Sequence, residues 1–168
     1  VMSRPVGIPK TGVFALIDLV GVDLMPHLAE SLLSTLPKDD WYRDLYEYYL
    51  FIYKMIEAGY TGRKGKGGFY RLDPDAGKKR VKQALKLDKD KFDEAQYQKA
   101  DKPNSEAVNA GKNGLKSVVT TDDEGGRYAW AVLSKTLAYA ASLVPEIADD
   151  IHAVDEAMQL GYNWKNGP

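Results

Sequence analysis

The stretch Gly12-Val-Phe-Ala-Leu-Ile-Asp-Leu-Val-Gly-Val-Asp23 sets the pattern for the fold. Val13, Phe14, Leu16, Ile17 and Val20 recur at helical spacing, which predicts a short helix from Thr11 to Leu19. Gly21 is placed to end it, because glycine tolerates the left-handed conformation beyond a helix C-terminus. Asp23 can then cap a second helix, with Pro26 in the first turn, where a missing N–H does no harm. Leu24, Leu28, Leu32 and Leu36 line one face of that helix, and Pro37 stops it.

Further along, Asp39 or Asp40 can cap a helix running to about Ala58. It carries one stripe of Trp41, Leu45, Tyr48, Ile52 and Met55 and a second of Tyr42, Tyr46, Tyr49, Tyr53 and Ile56. So wide an apolar face predicts burial between two layers. Gly59 ends it, and Thr61-Gly-Arg-Lys-Gly-Lys-Gly-Gly-Phe-Tyr70 reads as a Gly-rich basic loop. From 78 to 102 the chain is charge-dense. Val81, Leu85 and Leu87 suggest a strand over a helical reading of 80–87, and Lys89-Asp90 a hairpin turn returning through Phe92. Pro103 breaks the chain, and Asn104 or Ser105 caps a helix to about Val118. Asp122 or Asp123 caps a longer one with Tyr128, Val132, Thr136, Tyr139 and Leu143 on its face. Pro145 interrupts that helix or turns the chain. Asp149 or Asp150 caps a last helix bearing Ile151, Val154 and Met158, ended by Gly161. The fold class is mainly α, with a small β-hairpin insert.

Composition agrees with a folded chain. Of 168 residues, 44% are hydrophobic and 28% charged, enough for one domain or two small lobes. The net charge of −1 supplies no field to attract nucleic acid or an anionic membrane. The absence of cysteine excludes disulfides, thiolate metal sites and a Cys nucleophile. No apolar run reaches the length of a membrane span, and no signal-peptide pattern precedes Arg4-Pro5. A cytoplasmic location is the expectation. Val1 at the start and Gly167-Pro168 at the end read as cut points.

Three segments carry a family resemblance. In 12–23 the matching positions are Phe14, Leu16, Asp18, Gly21 and Asp23, with Val13 where the family's Gly-Pro has proline. In Gly62–Tyr70 the chain is similar to Gly-x-Lys-x-Gly-x-Gly-Phe-Tyr. In 154–168 the matches are Asp155, Ala157, Met158, Gly161, Trp164, Gly167 and Pro168. In this order they resemble the helical C-terminal region of 3-hydroxyacyl-CoA dehydrogenases; 71–120 adds little. The resemblance implies a helical bundle of the 6-phosphogluconate-dehydrogenase C-terminal-like type. It implies three parts: residues 1–75 as the tail of a first helical repeat, 76–103 as a basic linker or hairpin, and 104–168 as the head of a second repeat.

The resemblance also implies a parent enzyme of fatty-acid β-oxidation that oxidises a 3-hydroxyacyl-CoA with NAD. The expected partners are the acyl-CoA substrate, the nucleotide-binding domain of the same chain, a fused enoyl-CoA hydratase and a second copy in a homodimer. Hydride transfer needs a base and a bound nicotinamide. The family's His-Glu pair belongs to the nucleotide-binding domain, and its active-site Asn has no match on the helix near 123–144, where Ala129–Leu137 lacks an Asn-Arg pair. No catalytic residue, metal ligand or NAD-binding residue is therefore assigned here.

Asp18 reads as a carboxylate that accepts backbone N–H groups rather than as half of a dyad with His27. His27 and His152, the only histidines, read as helix residues. Gly65, Gly67 and Gly68 lack the βαβ setting of a dinucleotide fingerprint, and no Gly-Lys-Ser/Thr marks a P-loop. Two readings of this loop stay open: a tight turn that needs glycine, or a loop whose Arg63, Lys64 and Lys66 reach the phosphates of coenzyme A. The lysines from Lys78 to Lys102 are interleaved with acids and carry few aromatics, unlike a nucleic-acid site. The rival to the dehydrogenase reading is a stand-alone helical protein-interaction module, with the aromatic stripes as its binding face.

Overall fold

The computed structural model describes residues 1–88, 91–101 and 105–167. They form eight α-helices and a three-stranded antiparallel sheet: α1 (Val13–Val20), α2 (Leu24–Thr35), α3 (Trp41–Leu45), α4 (Leu50–Glu57), β1 (Tyr70–Leu72), β2 (Lys82–Leu85), β3 (Tyr97–Lys99), α5 (Glu106–Ala110), α6 (Leu115–Val119), α7 (Glu124–Ser142) and α8 (Ile151–Tyr162). The mainly α expectation holds. No helix among the described residues is long and apolar enough to cross a membrane.

The chain divides into two compact units, one of Val1–Val13 with Lys102–Pro168, the other of Phe14–Asp101. In the first, Met2, Val6 and Ile8 from the N-terminal segment are buried with Ala107, Val118, Ala129 and Leu133, and Trp164 packs against them. Lys165 N–H donates to Gly7 O at 2.9 Å, tying the last segment to the first. Asp123 organises the helices. One of its oxygens accepts from Gly126 N–H at the start of α7 (2.7 Å), and the other from Ser105 Oγ and Ala107 N–H beside α5 (2.8 and 3.3 Å). One carboxylate therefore satisfies amides at the starts of two helices. Gly111 and Gly114 split the helix expected between 104 and 118 into α5 and α6. Asp150 caps α8 through Ala153 N–H. That helix passes Gly161 and ends at Asn163, which takes the left-handed conformation instead.

In the second unit the core is aromatic. Val22, Phe51, Ile52, Met55, Tyr60, Phe69 and Tyr97 are buried together, with Tyr60 stacked on Tyr97 and Phe14 against Phe69. The sheet is a meander, with Arg71 opposite Gln83 and Ala84 opposite Gln98. The strand reading of the 81–87 region is correct, and its partner strand lies at 97–99 rather than at Phe92. The turn assigned to Lys89-Asp90 and the break and cap at Pro103 and Asn104 lie outside the described residues.

Three further expectations need correction. The helix expected over 40–58 is two helices, α3 and α4, because Tyr46 and Tyr49 are extended. Aromatic side chains lose rotamer freedom in a helix, so the Tyr46–Tyr49 run supports it weakly. The wide stripe is not buried as a whole: Ile52 and Met55 lie in the core, whereas Trp41, Leu45, Tyr48 and Tyr49 are exposed, as are Leu24, Leu28 and Leu32. Finally, Asp23 does not cap α2 with its side chain. Its carboxylate is held by Lys64, whose Nζ lies 2.8 Å from both oxygens.

Candidate functional site

Asp18 is the one buried charged residue among those described, and the Gly-rich loop is built around it. It sits in the last turn of α1, from which its carboxylate reaches into the loop. One oxygen accepts from Phe69 N–H at 2.7 Å and the other from Tyr70 N–H at 2.8 Å. Its own carbonyl accepts from Arg63 N–H at 2.8 Å. Asp18 thus accepts backbone N–H groups, as expected, although the donors lie about fifty residues on in the chain. Burial raises its carboxyl above the ordinary value, and the Tyr70 and Phe69 amides with Lys82 and Arg63 offset only part of that.

This approach explains the glycines. A Cβ at Gly68 would lie 2.0 Å from an Asp18 oxygen, and one at Gly62, where φ is +98°, would lie 2.4 Å from the Asp18 carbonyl. Neither distance leaves room for a side chain. The loop is further closed by Gly62 N–H to Gly67 O, Gly65 N–H to Gly62 O and Lys66 N–H to Gly59 O, and by the Tyr97 hydroxyl, which donates to Gly68 O. Burial pushes the Tyr97 phenol well up, so it remains a donor at ordinary pH. The tight-turn reading is thereby accounted for.

Beside the loop lies an open cavity of about 560 Å³, lined in part by Arg63, Lys66, Arg71, Arg80 and Lys82. Two of the three expected loop cations, Arg63 and Lys66, face it. Lys64 lies outside its lining and is engaged with Asp23, and that bond holds the Asp23 carboxyl below its ordinary value. The other three cations were missed in the sequence. They come from the sheet beside the loop: Arg71 stands opposite Gln83, Lys82, on the other face, opposite Leu72 and so diagonal to Tyr70, and Arg80 leads into β2. Arg71 donates to Gln83 Oε1 at 2.7 Å and to Tyr60 Oη at 3.1 Å, with its guanidinium 4.0 Å from the Tyr97 ring centre. Lys82 Nζ sits 3.7 Å over Tyr70. The signal for these contacts was the cross-strand pairing, which requires the register.

The histidines contribute nothing to this cavity. His27 is exposed and lies 3.9 Å from Glu30, and His152 is exposed on α8. Neither lines the cavity, and Asp18 is engaged with backbone amides. No group of three or more His, Asp or Glu residues among those described has the proximity to hold a metal.

A mainly α chain in which a glycine-rich turn wraps a buried helix aspartate defines the structural class. Residues 1–72 match the family of 3-hydroxyacyl-CoA dehydrogenase C-terminal domains. Similar proteins include two named as fatty acid oxidation complex trifunctional enzymes. That of Rickettsia felis is 38% identical over 96% of this chain and 21% of its own length. That of Rickettsia prowazekii is 36% identical over 100% of this chain and 22% of its own. A Bacillus subtilis protein named as a 3-hydroxyacyl-CoA dehydrogenase is 34% identical over 97% of this chain and 20% of its own. The chain spans about one fifth of the length of these relatives. No solved structure matches it.

Proposed function

We propose that this chain is the helical part of an NAD-dependent 3-hydroxyacyl-CoA dehydrogenase of fatty-acid β-oxidation, acting in the cytoplasm. The carrying observation is the family match over 1–72, within relatives that align along nearly the whole chain. In this reading residues 1–75 are the tail of a first helical repeat, 76–103 a basic linker and 104–168 the head of a second. The chain helps wall the acyl-CoA cleft and supports packing against the nucleotide-binding domain or a second copy. The names of the Rickettsia relatives support a multifunctional parent, with an enoyl-CoA hydratase as the fused activity.

The described residues do not fit NAD. The sheet is antiparallel rather than a βαβ unit, and the loop amides named above are engaged within the loop or with Asp18. In this reading the cofactor is bound by the parent's nucleotide-binding domain, and no hydride-transfer step is routed through these residues. The loop cations Arg63 and Lys66, with Lys64 once released from Asp23, are the side chains proposed to reach the phosphates of coenzyme A.

The full-length protein tests this reading. It is expected to oxidise NADH when given acetoacetyl-CoA. Inactivity on every acyl chain length would overturn it. The stand-alone interaction module is distinguished by the upstream coding sequence, where a Gly-x-Gly-x-x-Gly βαβ unit supports the dehydrogenase.

A further inference from the structure

The cavity beside the glycine loop concentrates positive charge in a chain whose net charge is −1. Five cationic side chains line it, and Asp18 is the single carboxylate. None of the five stands in an ion pair among the described residues. By contrast Lys64, one residue along the same loop, is paired with Asp23. Arg71 and Lys82 are held over the Tyr97 and Tyr70 rings. A ring face orients a cation without cancelling its charge. Asp18 offsets at most one charge, and both of its oxygens are already taken by backbone amides. Like charges that line one space repel one another unless an anion offsets them.

The chemistry of the lining narrows the class of anion. Because the loop amides are largely engaged internally, no backbone nest of the P-loop kind is offered. Recognition falls to arginine forks and lysine ammonium groups, which suit phosphoryl oxygens. Several cations facing one space match a group with more than one negative charge. The volume lies within the roughly 300–1,000 Å³ of small-ligand sites.

We propose that the cavity lined by Arg63, Lys66, Arg71, Arg80 and Lys82 is a binding site for a diphosphate group, with Arg80 and Lys82 of the sheet as essential as the loop cations. This deepens the reading of the loop as a phosphate-facing element and rests on it. The diphosphate can come from inorganic pyrophosphate or from a nucleotide, and orthophosphate serves as the singly phosphorylated control.

The test is calorimetric titration of the 168-residue chain with inorganic pyrophosphate, ADP and orthophosphate at low ionic strength. Saturable pyrophosphate binding is expected, at least about tenfold tighter than orthophosphate. Comparable binding of ADP would identify the nucleotide-borne diphosphate as a ligand; pyrophosphate binding without ADP binding would confine the site to the free anion. The double variant Arg80→Gln, Lys82→Gln is expected to weaken pyrophosphate binding by about tenfold or more. The double variant Lys112→Gln, Lys116→Gln, which removes two exposed charges from outside the cavity, is expected to change it by less than about twofold. If the double variant fails to fold by circular dichroism, Arg63→Gln replaces it, with an expected loss of at least about threefold. No saturable binding, or an equal loss in the Lys112→Gln, Lys116→Gln control, overturns the proposal. Such a failure leaves the dehydrogenase reading standing, since that reading is decided by acetoacetyl-CoA turnover in the parent.

Discussion

At the scale of single residues, Asp18 shows how one buried carboxylate can fix a loop. The Phe69 and Tyr70 amides each need an acceptor, and Asp18 supplies both. Asn at this position offers one carbonyl oxygen and turns an N–H₂ group towards the other amide. Asp18→Asn is therefore expected to destabilise the Phe14–Asp101 unit by about 1–3 kcal/mol, read as a lower urea midpoint. An unchanged midpoint would mean that the amides are held by something else. The acceptor role of Asp18 was legible in the sequence, because a carboxylate among apolar residues must find donors. Its partners were not, since nothing local links position 18 to positions 69 and 70. Lys64 shows the reverse: its charge was plain, but Asp23 engages it, and that pairing depends on how α1 and the loop meet.

At the scale of elements, the helix starts carry the strongest sequence signals. Asp40, Asp123 and Asp150 accept backbone amides where capping chemistry places them. Asp150→Ala is expected to cost about 1 kcal/mol, seen as faster amide exchange in the first turn of α8, a helix with no buried residue to hold it. Unchanged exchange would remove the cap from the explanation. Asp123 has a wider effect because it serves α5 and α7 together. The Gly126 amide is the first of the bonds that hold its carboxyl below the ordinary value. A depressed carboxyl contributes stability that is present above its unfolded value and lost as pH falls through the folded one. The thermal midpoint of the Lys102–Pro168 region is expected to fall on acidification below the ordinary carboxylate range, and Asp123→Ala to flatten that fall while lowering the midpoint near neutrality. Identical acid slopes in the two proteins would contradict this. Helix interiors were harder to read than helix starts. The Tyr46–Tyr49 run has the spacing of a helix but weak intrinsic preference for one, and the chain extends there. The Gly111 and Gly114 breaks were visible as residues, and their effect depended on whether packing would override them.

At the scale of the whole molecule, the three motif segments fall in both units. The first two lie mostly in Phe14–Asp101, and the third lies with the N-terminal segment around Met2, Val6 and Ile8. Composition and periodicity could predict mainly helical structure but not this exchange of the N-terminal segment, which rests on contacts more than a hundred residues apart. The exposed Tyr48, Tyr49, Leu24 and Leu28 likewise read as core in the sequence, where period alone cannot tell a buried face from a docking face. Neither unit brings together a base, a nucleophile or a dinucleotide cradle among the described residues; what the chain offers is a shaped helical surface and one basic cavity. The most direct measurement is NADH oxidation with acetoacetyl-CoA by the full-length protein and by this 168-residue chain at equal molar concentration. Turnover by the full-length protein and none by the chain is the predicted result. Turnover by the chain alone would contradict the claim that it supplies shape rather than chemistry.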